Sequence, residues 1–392
     1  MKASLNLTQL AEKLTARQQA KHDTIETAAP TQNAPGLRVV MDDTLPPTID
    51  SRGKETPYTL TRSAPMPSGL AIIDNNGHQS TLTNHAAGQL AEYNKIPRTY
   101  VRRMIEDAPD LAEQNFNHWL RRKSANDKRM LRTMRVDDTS VCRAVLSNSY
   151  KIIDNDVIAE TALQAIDRAS VDVDFKSLQI HDDKLFMDFV LPKLETEIAV
   201  GDAVQFGLRV TNSEIGSGTF SVSPFCYRLV CLNGMVVAQS LKEYSIRKIH
   251  KGARVDEITS GRTKRAEQVA LLSGMVDIFD DMLSHDSQIQ KAVTAMQTAA
   301  QSHTVQSASE TIEKASKLFA FSDSEGQSIL ERFLRGDEGV KNLENQWSLA
   351  NAVTNLANDD KTEFGRATEL HEIGGRVLDL NPKQWERLAI AA

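Results

Sequence analysis

The fold of this chain is decided by residues 203–237, which read AVQFGLRVTNSEIGSGTFSVSPFCYRLVCLNGMVV. Apolar and polar residues alternate along much of this stretch, and a period of two indicates β-strands with one buried face. Gly216, Gly218 and the pair Asn233-Gly234 interrupt the alternation, and Asn-Gly is a strong signal for a tight hairpin turn. The stretch therefore predicts consecutive antiparallel strands joined by short turns.

The same period continues toward the N-terminus. It occurs in RMLRTMRV (residues 129–136) and VCRAVLSNSY (residues 141–150), and residues 171–192, VDVDFKSLQIHDDKLFMDFVLP, have the pattern of a hairpin with its turn near HDD. Residues 156–169, DVIAETALQAIDRA, have a helical period instead. We therefore expect residues 131–260 to form one central antiparallel sheet domain with an inserted helix.

Helical segments are expected on both sides of this sheet. Residues 1–55 should be a flexible N-terminal arm with one helix, in which Asn6 and Gln9 resemble a capping box. Residues 56–130 should form a helical unit, and residues 261–392 a C-terminal helical region. The predicted fold class is therefore α+β, with a central antiparallel sheet flanked by helices.

Composition and charge restrict the classes of function. The chain has 392 residues and a net charge of −6, which excludes a protein that coats nucleic acid with its whole surface but allows a local basic face. Its three cysteines do not suit a disulfide scaffold or a zinc site, so we expect no metal and no cofactor. No apolar run approaches the ~20 residues of a membrane span. We expect no membrane association and a cytoplasmic location.

A helical hairpin at residues 85–104, HAAGQLAEYNKIPRTYVRRM, resembles a DNA-reading helix-turn-helix. Arg98, Arg102 and Arg103 would then face DNA. Lys95, however, stands where the turn of such motifs usually has glycine, and a plain pair of packed helices with solvated arginines explains the pattern as well. We expect the hairpin to be structural first and a DNA contact second. Its buried residues should be Leu90, Ile96 and Val101.

Two segments are strongly basic in an acidic chain. Residues 92–135 contain eleven Lys or Arg and six Asp or Glu, and residues 242–265 contain eight and three, so each has a net charge of +5. Aromatic residues accompany both segments, and bases of single strands stack on such rings. Pairing with the protein's own acidic helices is the alternative. The candidate nucleic-acid-binding residues are Arg98, Arg102, Arg103, Arg121, Arg122, Lys123, Arg228, Tyr244, Lys248, His250 and Lys251.

No arrangement of residues in the sequence indicates a catalytic site. The glycines at 216–218 are not followed by the Lys-Ser/Thr of a phosphate-binding loop. Asp182 and Asp183 are adjacent in an expected turn, where the backbone favours aspartate. Cys142 lies on an expected strand with no histidine near it in sequence, which is typical of a buried thiol. We therefore expect a protein that is not an enzyme.

Several segments together resemble a known family. They are HAAGQLAEYNKIPRTYVRRM, NFNHWLRRK, CRAVLSNSYKIIDND, FCYRLVCLNGMVV and ENQWSLANAVTNLA. They are similar to the motifs of the phage- and plasmid-encoded family called domain of unknown function 932, over about Thr83 to Leu378. The resemblance implies proteins of phages, prophages and conjugative plasmids, with an α+β region surrounded by helices. It implies no activity and supplies no catalytic residues.

Two hypotheses about function follow. The first is a non-enzymatic protein of phage or plasmid DNA metabolism, which binds single-stranded DNA to protect or anneal it in replication or recombination. It includes self-association into a homo-oligomer in the bacterial cytoplasm. The second is a protein-interaction factor that counters a host defence or restriction system, because acidic surfaces repel DNA and can mimic it. Binding to oligonucleotides that weakens with salt distinguishes the two.

Overall fold

The computed structural model describes most of the chain. The described residues are 5–42, 48–49, 55–56, 67–150, 152–169, 172–181, 184–230, 233–236, 246–248, parts of 266–281, 286–337, 342–359, 362 and 364–390. They contain two larger β-sheets covered by helices, which confirms the α+β class. No helix within these stretches has both the length and the apolar character needed to cross a membrane.

The helices and strands are numbered along the chain. The helices are α1 (Leu7–Ala20), α2 (Asn84–Tyr93), α3 (Arg98–Asp107), α4 (Pro109–Leu120), α5 (Asn155–Ala169), α6 (Asp286–Ala300), α7 (Ala308–Phe319), α8 (Asp323–Arg335), α9 (Gln346–Leu356), α10 (Phe364–Leu378) and α11 (Pro382–Ala389). The strands are β1 (Lys21–Thr27), β2 (Arg38–Met41), β3 (Thr48–Ile49), β4 (Glu55–Thr56), β5 (Pro67–Ile73), β6 (Gln79–Thr83), β7 (Lys128–Val136), β8 (Thr139–Ser147), β9 (Asp174–Ile180), β10 (Leu185–Ala199), β11 (Asp202–Asn212), β12 (Phe220–Arg228), β13 (Asn233–Val236) and β14 (Ile246–Lys248).

The first sheet has six strands in the order β1-β7-β8-β6-β5-β2. Its neighbouring strands run antiparallel except for β6 and β8, which pair in parallel. Helices α2, α3 and α4 form a layer on this sheet, because Leu90 and Phe116 of the helices share one apolar core with Leu82 and Leu131 of the strands. We call these three helices the helical layer.

The second sheet has the strand order β13-β12-β11-β10-β9, and all of its neighbours are antiparallel. The short strand β14 also pairs with β12. Phe206 and Phe220 of this sheet lie in the same apolar core as Ile158 of α5 and Leu349 of α9. The C-terminal helices are therefore packed onto the second sheet.

The expectation of a single sheet over residues 131–260 is wrong. Strands β7 and β8 belong to the first sheet, where β1 and β6 flank them, whereas β9 to β13 form the second. The chain passes from one sheet to the other through α5, which confirms the inserted helix. The hairpin predicted for residues 171–192 is also confirmed, since β9 and β10 pair with Leu185 opposite Ile180.

The described part of the N-terminal segment is built into the fold and is not an arm. Helix α1 has the predicted capping box, in which the Gln9 N–H donates to the Asn6 side chain at 2.8 Å and the Asn6 N–H to the Gln9 side chain at 3.0 Å. Strand β1 follows directly and pairs with β7, placing Asp23 opposite Arg132. Since α1 packs in the core of the second sheet, residues 5–27 connect the two sheets.

We had expected the pair Asn233-Gly234 to form the turn of a hairpin, but it does not. These residues begin β13 and pair with the end of β12, so the chain reverses before them. Gly234 is required for a different reason. A Cβ atom at this position would lie 2.2 Å from the ring of Phe225, which is too close for any larger residue without a shift.

Candidate functional site

The helical hairpin of α2 and α3 is a packed pair of helices on the first sheet. Leu90, Ile96 and Val101 are buried, as predicted. Lys95 in the turn has a φ of 60°, the left-handed conformation for which glycine is usually used. The hairpin therefore has the backbone of a tight helix–turn–helix connection. Its apolar side packs against the first sheet.

The three arginines predicted on α3 are exposed, each beside an acidic partner. The Nε atom of Arg98 lies 2.6 Å from Glu92, and that of Arg103 lies 3.4 Å from Asp107. Arg102 is 4.0 Å from the next glutamate along the helix. Because both members of each pair are solvated, these contacts stabilise the fold little, and the guanidinium groups can exchange them for phosphates.

The end of α4 presents an aromatic ring beside basic residues. Trp119 is 44% exposed, whereas Phe116 and Leu120 beside it are fully buried. The ring lies edge-on to His118 with centroids 5.3 Å apart. Arg122 donates to the His118 carbonyl at 3.3 Å and is exposed, as is the preceding arginine, Arg121. This end of α4 thus combines a ring with two cations.

Lys123 serves a structural purpose. Its ammonium group donates to the Tyr93 carbonyl at 2.9 Å and lies 4.0 Å from the centre of the Tyr93 ring. Arg129 lies over the same ring at 3.6 Å. Burial lowers the pKa of Lys123, against the opposing charge of Asp127. Lys123 therefore fastens the end of α4 to the end of α2.

Arg228, which we predicted as a nucleic-acid contact, lies inside the protein. Its guanidinium group is buried and forms two hydrogen bonds with the carboxylate of Asp202, at 2.5 and 2.8 Å. It also forms an ion pair with Asp337. Trp347 donates its indole N–H to Asp202 at 2.7 Å. This group joins β11 and β12 to the C-terminal helices, and both charges of the central pair are already satisfied.

The second basic segment lies mostly outside the described residues. Tyr244, His250 and Lys251 belong to that part, so their prediction as binding residues is untested. Lys248 ends β14, which pairs with the start of β12. Strand β14, the described part of this segment, therefore lies next to β12.

A buried charge network joins the two sheets. We use this name for Lys21, Asp23, Arg132, Arg143, Asp154 and Glu214. Arg132 is its centre, with hydrogen bonds to Asp23 at 3.0 Å, to Asp154 at 2.8 Å and to the Glu214 carbonyl at 2.8 Å. Three cations and three carboxylates are thus brought together from both sheets and from the start of α5.

Glu214 is held as an ionised carboxylate in this network. It accepts from Lys21 at 2.6 Å, from Arg143 at 3.2 Å and from the Asn155 N–H at 2.9 Å. Burial by itself would raise the pKa of Glu214, but these three donors outweigh it and lower the pKa to about 2. The network therefore stabilises the junction of the sheets only while Glu214 keeps its charge.

The carboxylates of Asp154, Asp156 and Glu214 lie close enough together to suggest a metal site. The ammonium group of Lys21, however, is 3.0, 4.0 and 2.6 Å from these three groups respectively. A fixed lysine charge therefore already supplies the cation that they require. We assign no metal to this cluster.

Sequence reasoning missed this network although a signal was present. Arg143 and Asp154 both lie in CRAVLSNSYKIIDND, a segment that carries the family resemblance. Arg132 and Arg143 interrupt strands that are otherwise buried, and a charged residue inside such a strand indicates an internal ion pair. The partners could not be named, because Glu214 lies 82 positions beyond Arg132 in the chain.

The thiol of Cys142 is an unsuitable nucleophile. It is fully buried, and burial raises its pKa to about 12, above the opposing effects of the Ala144 backbone contact and Arg143. Cys226 is also buried. Asp182 and Asp183 lie outside the described residues, so the proposed turn role of these aspartates is untested. On either side of them, the His181 N–H donates to the Lys184 carbonyl at 2.8 Å.

No curated protein and no solved structure matches the chain. The family model described as Domain of unknown function (DUF932) matches residues 143–373. This span is shorter than the resemblance expected from the motifs, because it begins in β8 and leaves out the helical layer. It contains the Arg228 group of the second sheet and most of the C-terminal helices. Because the match covers more than half of its residues, the chain belongs to the DUF932 family.

Proposed function

We propose that the protein binds single-stranded DNA, without catalysis, through the exposed surface of its helical layer. The observation that carries this proposal is the exposed Trp119 ring, followed in the chain by two exposed arginines, Arg121 and Arg122. An aromatic platform beside cations is the combination that non-specific single-strand binders use, since every base can stack and every nucleotide carries a phosphate.

The electrostatics of the helical layer support the proposal. Helix α3, which adds three more exposed arginines, packs against α4, and Asn115 of α4 lies 3.8 Å from the Met104 sulfur of α3. These arginines exchange weak contacts with solvated carboxylates for contacts with phosphates. Each such exchange releases condensed counterions, which favours binding at low salt.

The fluorescence of Trp119 provides a direct test. The chain has three tryptophans, and the other two, Trp347 and Trp385, are 5% and 2% exposed. We expect a single-stranded oligonucleotide to quench the exposed tryptophan in a saturable way, more strongly than a duplex of the same length. A Trp119→Ala variant should bind more weakly, because it removes a ring whose stacking on a base contributes about 1–3 kcal/mol, and it should lose the quenching.

The salt dependence of binding tests the phosphate contacts. Replacing Arg121 and Arg122 by alanine should flatten the slope of log affinity against log salt by about 1.4, because each single-strand phosphate contact contributes about 0.7. The matched control is Lys383→Ala with Arg387→Ala, which removes two exposed cations from α11 and should leave the slope unchanged. Fluorescence anisotropy measures both.

One result would reject the proposal. If the wild-type protein shows neither quenching nor an anisotropy change with a single strand at low salt, the arginines of the helical layer are merely solvated. The second hypothesis from the sequence, a protein-interaction factor, would then replace it.

The wider setting is part of the same proposal. We propose that the protein acts in the cytoplasm of a bacterial cell, in the replication or recombination of a phage or plasmid, and that it self-associates along the strand. The family resemblance supports the setting. Light scattering with and without an oligonucleotide measures the self-association.

A further inference from the structure

A cavity of about 80 Å³ lies between the second sheet, helix α10 and the two residues that follow α9. Its lining includes Lys176 of β9, Asp188 of β10, Arg209 of β11 and His371 of α10. All lining residues fall within the span matched by the family, and the cavity is separate from the helical layer. It therefore concerns a different property from the proposed DNA binding.

Arg209 is the central group of the cavity wall. Asp188 accepts from its Nε and Nη2 atoms at 2.6 Å each, and Nη2 also lies 2.9 Å from Nδ1 of His371. A guanidinium group can only donate, so Nδ1 of His371 accepts this bond and the imidazole proton is on Nε2. These contacts fix Arg209 in one orientation.

The remaining nitrogen of Arg209 has no acceptor. Its Nη1 atom is buried and has no hydrogen-bond partner among the residues that the structure describes. Buried guanidinium N–H groups are nearly always paired, because leaving one without an acceptor is costly. An unpaired donor on a residue that lines a cavity indicates that an acceptor belongs there.

The charges of the wall define what that acceptor is. Lys176 and Arg209 carry two positive charges, and Asp188 carries one negative charge. The carboxylate that pairs with Lys176, Asp174, is not part of the lining and is more than half exposed to solvent. The lining residues alone therefore have a net charge of +1, and Asp174 balances it from the solvent side, where water screens its charge, so a negatively charged acceptor is favoured over a neutral one.

Lys176 is placed to take part in binding. Its side chain is mostly buried, and its ammonium group lies 4.7 Å from the centre of the Tyr227 ring, which also lines the cavity. An ammonium group has three N–H donors, so its contact with Asp174 leaves others for an anion. The aromatic ring holds the lysine chain against the wall.

We propose that this cavity binds a small oxyanion of single negative charge, a carboxylate or a phosphate monoanion, with Arg209 and Lys176 as its donors. Charge-assisted hydrogen bonds from the two cations supply the affinity. His371 and Asp188 act as positioning residues that hold the guanidinium group in place.

The experiment is an NMR titration of the full-length protein with sodium phosphate and with sodium acetate. It is carried out at mildly acidic pH, where inorganic phosphate is mainly a monoanion, and at constant ionic strength set by chloride. The amide signal of Gly234, which lines the cavity, reports on binding, and that of Gly88 in the helical layer is the internal control. We expect one or both oxyanions to shift Gly234 in a saturable way and chloride to have no such effect.

Two variants make the test specific. Lys176→Met should weaken binding about tenfold or more, through the loss of a charge-assisted hydrogen bond. Lys193→Met removes the same charge from an exposed position on β10 and should bind like the wild type. Both variants leave the buried Asp188–Arg209 pair intact, so folding is preserved.

The outcomes are distinct. A response to acetate alone assigns the site to carboxylates, and a response to phosphate alone assigns it to phosphates; both support the proposal. If neither oxyanion gives a saturable shift at Gly234, or if Lys176→Met binds as tightly as Lys193→Met, the proposal is wrong.

Discussion

Replacing Glu214 by glutamine tests whether an ionised carboxylate holds the buried charge network together. In the folded protein the pKa of Glu214 is lowered to about 2, against an ordinary value of 4.5, since Lys21, Arg143 and the Asn155 N–H outweigh the effect of burial. A lower pKa in the folded state means that the charge stabilises the fold above pH 4.5. This stabilisation is lost as the pH falls toward 2.

The size of the effect follows from the two pKa values. Their difference corresponds to about 3 kcal/mol of stability, of which roughly 2 kcal/mol disappears between pH 7 and pH 3. The Glu214→Gln variant lacks this titration. It also leaves Arg143 without its carboxylate and removes one of the carboxylates paired with Lys21, so we expect it to be less stable than the wild type by about 3 kcal/mol or more at pH 7.

Urea unfolding followed by circular dichroism at the two pH values measures this. The difference in free energy of unfolding between wild type and Glu214→Gln should be about 2 kcal/mol larger at pH 7 than at pH 3. Glu331→Gln, at an exposed position on α8, is the matched control. Its free energy of unfolding should equal that of the wild type at both pH values. If the difference for Glu214→Gln is the same at both pH values, the network does not hold Glu214 in its charged form.

Three further substitutions test the packing. Val101→Asp places a carboxylate in the core of the helical layer and should cost more than about 3 kcal/mol in urea unfolding; equal stability would contradict the buried position. Gly234→Ala should lower the melting temperature because its Cβ would meet the Phe225 ring, whereas Gly365→Ala, where that space is open, should not lower it; coinciding melts would refute this. Arg228→Met leaves a buried aspartate unpaired and should cost about 3–5 kcal/mol, while the oligonucleotide affinity of the folded variant, measured by anisotropy, should be unchanged; a loss of affinity would return Arg228 to the binding surface.

Local patterns predicted the elements whose signals are local. The capping box of α1 depends on two side chains three positions apart, and α2, α3 and α5 have a clear helical period with buried residues on one face. The hairpin of β9 and β10 has a short connection and alternating residues. In these cases neighbours in the chain are also neighbours in space, so the sequence contains the needed information.

Strand β1 was missed because its partner is distant. Its sequence, KHDTIET, has one buried residue, Glu26, and its single large apolar residue, Ile25, is exposed. Such a strand has no alternating pattern, and it forms because β7, more than a hundred residues later, offers an edge to pair with. The assignment of residues 1–55 to an arm failed for this reason.

The Asn-Gly signal was misread because one residue type serves two purposes. Glycine occurs in tight turns, but it also occurs where another group approaches the backbone closely. At Gly234 the approaching group is the ring of Phe225 on the neighbouring strand. Only the pairing of β12 with β13 shows which of these two roles Gly234 has, and this pairing cannot be read from the local sequence.

The candidate site was predicted in part, because a count of charges does not separate exposed from buried side chains. Arg132 was counted in the first basic segment and Arg228 was predicted to bind nucleic acid, yet each is neutralised inside the protein by aspartates from other elements. Trp119 is exposed, whereas the next residue, Leu120, completes the buried face of α4. A shift of one position on a helix turns a side chain by about 100° and changes its surroundings.

Burial nevertheless leaves the basic character of the helical layer and its surroundings in place. Of the eleven basic residues in the segment 92–135, eight are exposed, and of the six acidic residues, four are exposed. The exposed side chains alone therefore have a balance of +4, close to the +5 of the whole segment, and this charge lies where phosphates can reach it. Burial changes which residues would carry the proposed binding. The salt dependence of DNA binding should come from the arginines of α3 and of the end of α4. Lys123 instead forms a hydrogen bond with the Tyr93 carbonyl, and Arg228 forms ion pairs with Asp202 and Asp337.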